Sequence, residues 1–322
     1  MDKKGVSMFP FVMMFVLIAG AIILVFFFGF ARNVKTQGDL VNDLQVANLL
    51  ERKLDSFTLA KNARNIFELP RISKVDIECE NGKTSIIVGE SKRESFKLIS
   101  APMPFEDRRL IAWTLAWEYP FKIDNFYYLA DNNVRFYFES VGGAGDMRNI
   151  IYNNLPTPPF TKFDRLPRNS LELNQADKNI VVYYNNRPSD AVFLSSKAKV
   201  IQVDIANNKV AFYRNDGNKD GEAEFFGLPM LYAAIFSEDF QEYECIKDMA
   251  HERLKTMAAI YRLKAGNIRS SSECKIIFNL IGGKLANNDF TEDPIGSEFN
   301  SELSSLNQRL KGNGCPPLYL TL

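Results

Sequence analysis

The stretch 133-NVRFYFESVGGAGDMRNIIYNNLP-156 decides the fold class. Residues 133–138 are dense in aromatic and branched side chains and read as a strand. Val141-Gly142-Gly143-Ala144-Gly145-Asp146 reads as a glycine-rich turn, and 147–155 as a helix stopped by Pro156. Strand, turn and helix in that order predict an α/β sheet with short crossover helices. Downstream, 179–184 and 199–205 supply further short runs of Val, Ile and Tyr between Pro- and Asn-rich connections. Asn207-Asn208 then turns the chain into 209–214, an antiparallel addition expected at the sheet's edge.

Working back towards the N-terminus, 110–138 is crowded with aromatics, Trp113, Trp117, Phe126 and Tyr128 among them. Aromatic density suits a packed β-rich interior; an exposed platform for glycan or lipid headgroups is the alternative. Before it, 75–79 alternates apolar and polar residues, Asn81-Gly82 is a strong two-residue hairpin signal, and 84–88 returns as the partner strand. Beyond the sheet the pattern becomes helical. A short apolar helix is predicted over 228–236, and Ser237-Glu238-Asp239 caps a longer one to about Ala265. In that helix Tyr243, Ile246, Met249, Leu254, Met257, Ile260 and Tyr261 keep helical spacing. A third helix is predicted over 272–281, stopped by Gly282-Gly283, and a fourth over 297–311.

At the other end of the chain, residues 11–30 read FVMMFVLIAGAIILVFFFGF without a charge. A bilayer core about 30 Å thick needs roughly 20 such residues in a helix, whereas a secretory signal's apolar region is shorter and ends at a small-x-small site. The run is therefore expected to stay as a single-pass anchor, with residues 6–31 in contact with lipid. Lys3 and Lys4 before it, against Arg32 and Lys35 after it, lean towards a cytoplasmic N-terminus. Leu40, Leu44, Ala47, Leu50, Leu54 and Phe57 then continue one apolar helical face, so an amphipathic stalk helix is predicted to run on until Pro70 closes it. The stripe suits packing on the chain's own domain or self-association. Four segments follow: 1–31 tip and transmembrane helix, 32–70 stalk, 71–225 mixed α/β sheet, and 226–322 helices packed on that sheet.

Lys plus Arg and Asp plus Glu both total 39, so net charge gives no reason to expect nucleic acid. The four cysteines, Cys79, Cys245, Cys274 and Cys315, show no CxxC spacing. Their even count in an exported domain suits two disulfides. If the C-terminal helices alternate in direction, Cys274 and Cys315 share one end, which leaves Cys79 for Cys245; four cysteines permit three pairings, and sequence alone does not choose among them.

Candidates for chemistry are sparse. Gly142, Gly143 and Gly145 precede a helix and could cradle a phosphate, but GGAGD is not GxGxxG, and Asp146 would put a negative charge where an anion should sit. Asp216, Asn218 and Asp220 lie in D-x-N-x-D-G, the first half of a calcium loop, although position twelve is Gly227 rather than Glu. The single histidine, His251, is expected on the side of a surface helix, and HERLK is not HExxH. No catalytic signature is assembled, so an enzymatic or ligand-binding module rests on the Gly142 and Asp216 loops alone.

Lys3-Lys4-Gly5, followed by a long apolar helix and its amphipathic continuation, resembles an archaeal type IV prepilin, whose peptidase cuts after such a glycine. Pro10 stands where that family commonly carries Glu. This resemblance covers residues 1–60 and implies a filament subunit. WTLAWEYPFKIDNFYYLA (113–130), ECIKDMAHERL from Glu244 and GCPPLY near the C-terminus resemble uncharacterised single-pass membrane proteins of archaea. That second resemblance implies an anchored, exported domain and transfers no functional residues. The expectation is a membrane-anchored extracytoplasmic domain acting through protein interactions at the cell surface or in an envelope assembly, with homo-oligomerisation through the stalk as one form.

Overall fold

The computed structural model describes residues 8–58, 62–70, 74–102, 104–105, 107–139, 147–155, 163–166, 178–184, 198–214, 216–268, 271–287 and 297–319. Helix α1 (Met8–Asp55) contains the segment Met13–Phe30, of mean hydropathy 2.8 and with none of it buried. Further along, Val46, Ala47, Leu50 and Leu54 are buried in the domain. The amphipathic face is therefore real, but the helix stops before Pro70. Phe57 and Thr58 donate backbone hydrogen bonds only three residues back, and the chain returns as strand β1 (Arg64–Glu68). The correction has a packing cause. In a strand, 64–68 pairs antiparallel with β6 (Arg109–Glu118) and stacks the Phe67 ring on Phe57, centroids 5.5 Å apart; a continued helix would forgo both.

Strands β2 (Val75–Glu80), β3 (Lys83–Val88) and β4 (Ser91–Ser95) form an antiparallel meander. Asn81 and Gly82 both have positive φ, 52° and 72°, as a tight primed hairpin turn requires. A second sheet has the order β1-β6-β7-β5, with β5 (Leu98–Ser100) parallel and β6 antiparallel to β7 (Lys122–Asp131). This sheet is covered on both faces. Leu110, Ala112, Tyr127 and Leu129 point into a core shared with α1 and the meander. Ile111, Trp113, Phe126 and Tyr128 point into a larger aromatic core on the other side. The aromatics of 110–138 are thus interior, not a platform.

The third sheet has the order β13-β12-β11-β10-β8-β9. Strands β8 (Val134–Glu139), β9 (Phe163–Leu166), β10 (Lys178–Tyr184) and β11 (Ala198–Asp204) are parallel, with α2 (Met147–Asn153) between β8 and β9 in the chain. β12 (Lys209–Tyr213) adds antiparallel to β11 as expected, but it is not the edge, because β13 (Lys219–Glu224) pairs outside it. Helix α3 (Gly227–Phe236) is buried from Met230 to Phe236. Such a helix is apolar all round because it has no solvent face. Its aromatic neighbours come from two sheets, Trp113 and Tyr128 from one and Phe136 from the other.

Helices α4 (Phe240–Asn267), α5 (Ser272–Asn287) and α6 (Ser297–Gly312) close the molecule. α5 passes through Gly282-Gly283 instead of stopping there. Each glycine costs a helix about 1 kcal/mol, and the buried Leu285 beyond them gains its packing only if the helix continues. Cys79 on β2 is bridged to Cys245 on α4, and Cys274 at the start of α5 to Cys315 beyond α6, each with Cα atoms 5.8 Å apart.

Candidate functional site

Helix α4 begins where Asp239 accepts a hydrogen bond from the Glu242 amide at 2.9 Å, a side-chain cap that satisfies a first-turn donor. Tyr243, Ile246, Ala250, Leu254 and Ala258 face the aromatic core. A different side of the helix looks towards the β2–β3 turn, and between them runs a groove of about 810 Å³. The Cys79–Cys245 bridge lies in its wall and ties the hairpin to the helix. Met249, Met257 and Ile123 give it apolar lining, Phe96 stands on its rim with 63% of its surface exposed, and Glu80, Asp248 and Glu252 bring carboxylates.

Arg253 crosses the groove. Its guanidinium donates to Asp124 at the start of β7 and to the Phe96 carbonyl, joining α4 to two other elements. Burial pushes the Asp124 carboxyl above its ordinary range, and the Arg253 charge opposes that push. Lys255 meets Glu252 at 2.9 Å on the outer surface. The groove therefore combines an apolar interior with a carboxylate rim, and its one arginine is already committed.

A second group of charges is structural. Lys199 donates to the Ser237 carbonyl and, at 3.4 Å, to that of Ala234, so its ammonium caps the C-terminal end of α3. Glu242 accepts from the amides of Glu238 and Ala101. Burial pushes the Lys199 ammonium down to about 8 and the Glu242 carboxyl up to about 8; opposite charges across the cluster resist both shifts.

Gly142, Gly143 and Gly145 lie outside the described residues. The chain leaves β8 at Glu139 and enters α2 at Met147; β8 is followed by β9 on one side of it in the sheet, whereas its other neighbour β10 is followed by β11 on the opposite side. In open parallel sheets, that reversal marks a common position for small-molecule sites. Asp216, Asn218 and Asp220 lie together in and beside the β12–β13 turn. The Asp216 carboxylate accepts from the Asn218 amide and side chain, both at 2.9 Å, which holds it below the ordinary carboxylate range; Asp220 accepts from Arg214 at 2.6 Å. The motif builds the β12–β13 turn. A Cβ at Gly221 would overlap the Phe240 ring, so this position needs glycine for packing. Among the described residues, no three His, Cys, Asp or Glu side chains are grouped to hold a metal ion.

His251 is not freely on the surface. It is half-buried with its ring 5.6 Å from that of Phe226, and burial lowers its pKa below the usual imidazole value. Ile260, one of the residues that keep helical spacing, is half exposed. The groove residues Phe96 and Ile123 gave no local signal, because the groove exists only once distant segments meet. α4 alone offered a hint, a second apolar series of Met249, Ile260 and Leu263 beside its core stripe. No family model, curated protein or solved structure matches the chain.

Proposed function

We propose that the chain is a single-pass membrane protein whose disulfide-bonded α/β domain lies on the extracytoplasmic side and acts by binding another protein. The observation that carries this reading is the Met13–Phe30 segment, apolar, charge-free and with none of it buried, in the same helix that supplies Val46, Leu50 and Leu54 to the domain core. Eighteen residues at 1.5 Å each span about 27 Å, close to the bilayer's hydrocarbon thickness. Exposed apolar surface of that extent is costly in water and favourable in lipid. Ten residues, or about 15 Å of helix, separate Phe30 from Leu40, whose carbonyl accepts from Ser91 of the domain at 3.3 Å.

Both disulfides support the exported side, since such bonds persist in oxidising compartments. Lys3 and Lys4 ahead of the span support a cytoplasmic N-terminus. The open groove along α4 supports a binding role. The test is accessibility on intact cells. Added protease should digest the domain, and a bulky maleimide should label the protein only after reduction. A protected domain, or four thiols that label without reductant, would overturn the reading.

A further inference from the structure

On α4 the groove is lined from Cys245 to Met257, and exposed apolar residues follow on the same side of the helix. Met249, Thr256, Ile260 and Leu263 follow one another at spacings of seven, four and three, which keeps them on one side of the helix. From Met249 to Leu263 is about 21 Å at 1.5 Å per residue, roughly four turns. Ile260 and Leu263 are 50% and 61% exposed, and Phe96 faces solvent beside the same trough. These side chains lie in the domain, separate from the Met13–Phe30 span. Methionine adapts to varied apolar partners, and Met249 and Met257 line the trough.

The charge around it has one sign to spare. Arg253 is spent on Asp124 and the Phe96 carbonyl, and Glu252 meets Lys255. Glu80 and Asp248 take part in no salt bridge among the described residues. An apolar trough about three turns long, continued by the exposed Ile260 and Leu263 and flanked by two uncompensated carboxylates, fits an amphipathic helix, apolar residues inward and cations at its flank. We infer that this groove binds a partner segment of that chemistry, an amphipathic helix in which leucine-like residues alternate with lysine or arginine, lying along α4. The inference rests on the protein-binding reading above and names the kind of partner.

The test uses the full chain with both disulfides intact, in nanodiscs of zwitterionic phosphatidylcholine. The probe is a labelled leucine–lysine amphipathic peptide about four turns long, followed by fluorescence anisotropy against empty nanodiscs. A leucine–glutamate peptide of the same pattern is the control. The leucine–lysine peptide should bind above the empty-disc background and the glutamate peptide should not. Phe96→Ser combined with Ile260→Ser, both at exposed positions, should weaken binding about tenfold, equivalent to about 1.4 kcal/mol. Glu80→Gln with Asp248→Asn should weaken it at low salt, with the difference fading as salt screens the rim. An unchanged near-UV spectrum verifies that each variant is folded.

Equal binding to wild type and both variants overturns the inference, as does equal binding of the two peptides or none of either. So does a disc that holds two chains in the wild type and one in the Phe96/Ile260 variant, because the occupant is then a second copy. The measurement does not depend on which side of the membrane the domain occupies in cells. A failed groove therefore leaves the topology reading standing, and a failed topology leaves the peptide result intact.

Discussion

The two faces of the sheet β1-β6-β7-β5 are both buried, yet they are filled by different chemistry. On the α1 side the neighbours are mostly aliphatic, Val46, Leu50, Leu54, Val75, Ile86 and Val88. On the α3 side they are aromatic, with Trp113 centred 4.6 Å from Tyr128 and 4.9 Å from Tyr232. Aliphatic side chains need only volume and shape. Buried tyrosines also need a partner for each hydroxyl. Tyr128 donates to the Pro229 carbonyl and Tyr232 to that of Ile151, both at 2.7 Å. The α1 face has directional bonds at its end, Tyr127 with the Thr58 hydroxyl at 3.2 Å and Asn125 to the Thr58 carbonyl at 2.9 Å, whereas on the other face such bonds lie within the aromatic core and fix α3 between two sheets.

The largest test of that contrast lies in the bridge that joins the two sides. Cys79 belongs to the meander that packs with α1, and Cys245 to the helix over the aromatic core; they are separated by 166 residues. On the loop-entropy model, removing that link by Cys79→Ser and Cys245→Ser costs about 5 kcal/mol. Cys274→Ser with Cys315→Ser opens a 41-residue separation and costs about 4 kcal/mol. Urea unfolding of the full chain in detergent should show the first pair uncoupling the two sides into separate transitions. The second should lower stability without dividing the transition.

Sensitivity to pH should be concentrated on the aromatic side, where Lys199 and Glu242 lie. Glu242 is raised from 4.5 to about 8, so the folded state holds its proton longer, and stability falls as pH rises between those values. Lys199 is lowered from 10.5 to about 8, so stability rises again as pH climbs from about 8 to 10.5. Their joint contribution is least near pH 8, by a few kcal/mol relative to the limbs. Denaturation midpoints across pH should show Glu242→Gln flattening the acid limb and Lys199→Met the alkaline one. A midpoint profile that neither substitution alters would remove this pair as the source.

At a smaller scale the contrast predicts opposite tolerance to conservative change. Tyr232→Phe deletes one oxygen and leaves a buried carbonyl without its donor, a cost of about 1–3 kcal/mol. Leu50→Met keeps the volume on the aliphatic face and should cost less than about 1.5 kcal/mol. Equal losses in thermal unfolding would mean that directional bonding does not distinguish the faces.

The same double burial explains what sequence reading could and could not reach. β2 alternates between buried and more exposed residues and leads into a primed turn, so period-two alternation and Asn81-Gly82 marked it and the partner strand β3. β6 and β7 are covered on both faces, so they present unbroken apolar runs with no alternation to read. β4 is a short, largely polar strand with little hydrophobic pattern. The α/β class was legible from β8 and α2, and the C-terminal helices from their 3.6-residue spacing. The end of α1 was not, because Ile66 and Phe67 satisfy helical spacing as well as strand pairing, and only β6 decides between them. Asp216 and its neighbours spell half an ion-binding loop, and in the fold their carboxylates bond Asn218 and Arg214 within the β12–β13 turn. The groove could not be read at all, since Phe96, Ile123 and Met249 meet only in three dimensions.

Gly89 and Gly82 supply the finest test, because they compare a turn against α1 with a turn facing open space. Both are hairpin glycines with positive φ, 57° and 72°. Alanine at either should incur the left-handed backbone cost of roughly 1–2 kcal/mol. At Gly82 nothing stands within 4 Å of the added methyl, so the cost should end there. At Gly89 the methyl would overlap the Asp43 carboxylate of α1, so the turn or the helix must move. Gly89→Ala should therefore cost more than Gly82→Ala, and Asp43→Ala in the Gly89→Ala background should recover the excess while leaving the backbone cost. If Asp43→Ala recovers nothing, the meander's turn does not bear on α1. The close seating of α1 against the domain would then rest on the Val46–Leu54 core and on polar contacts such as Ser91 to the Leu40 carbonyl and Lys97 to Asp55.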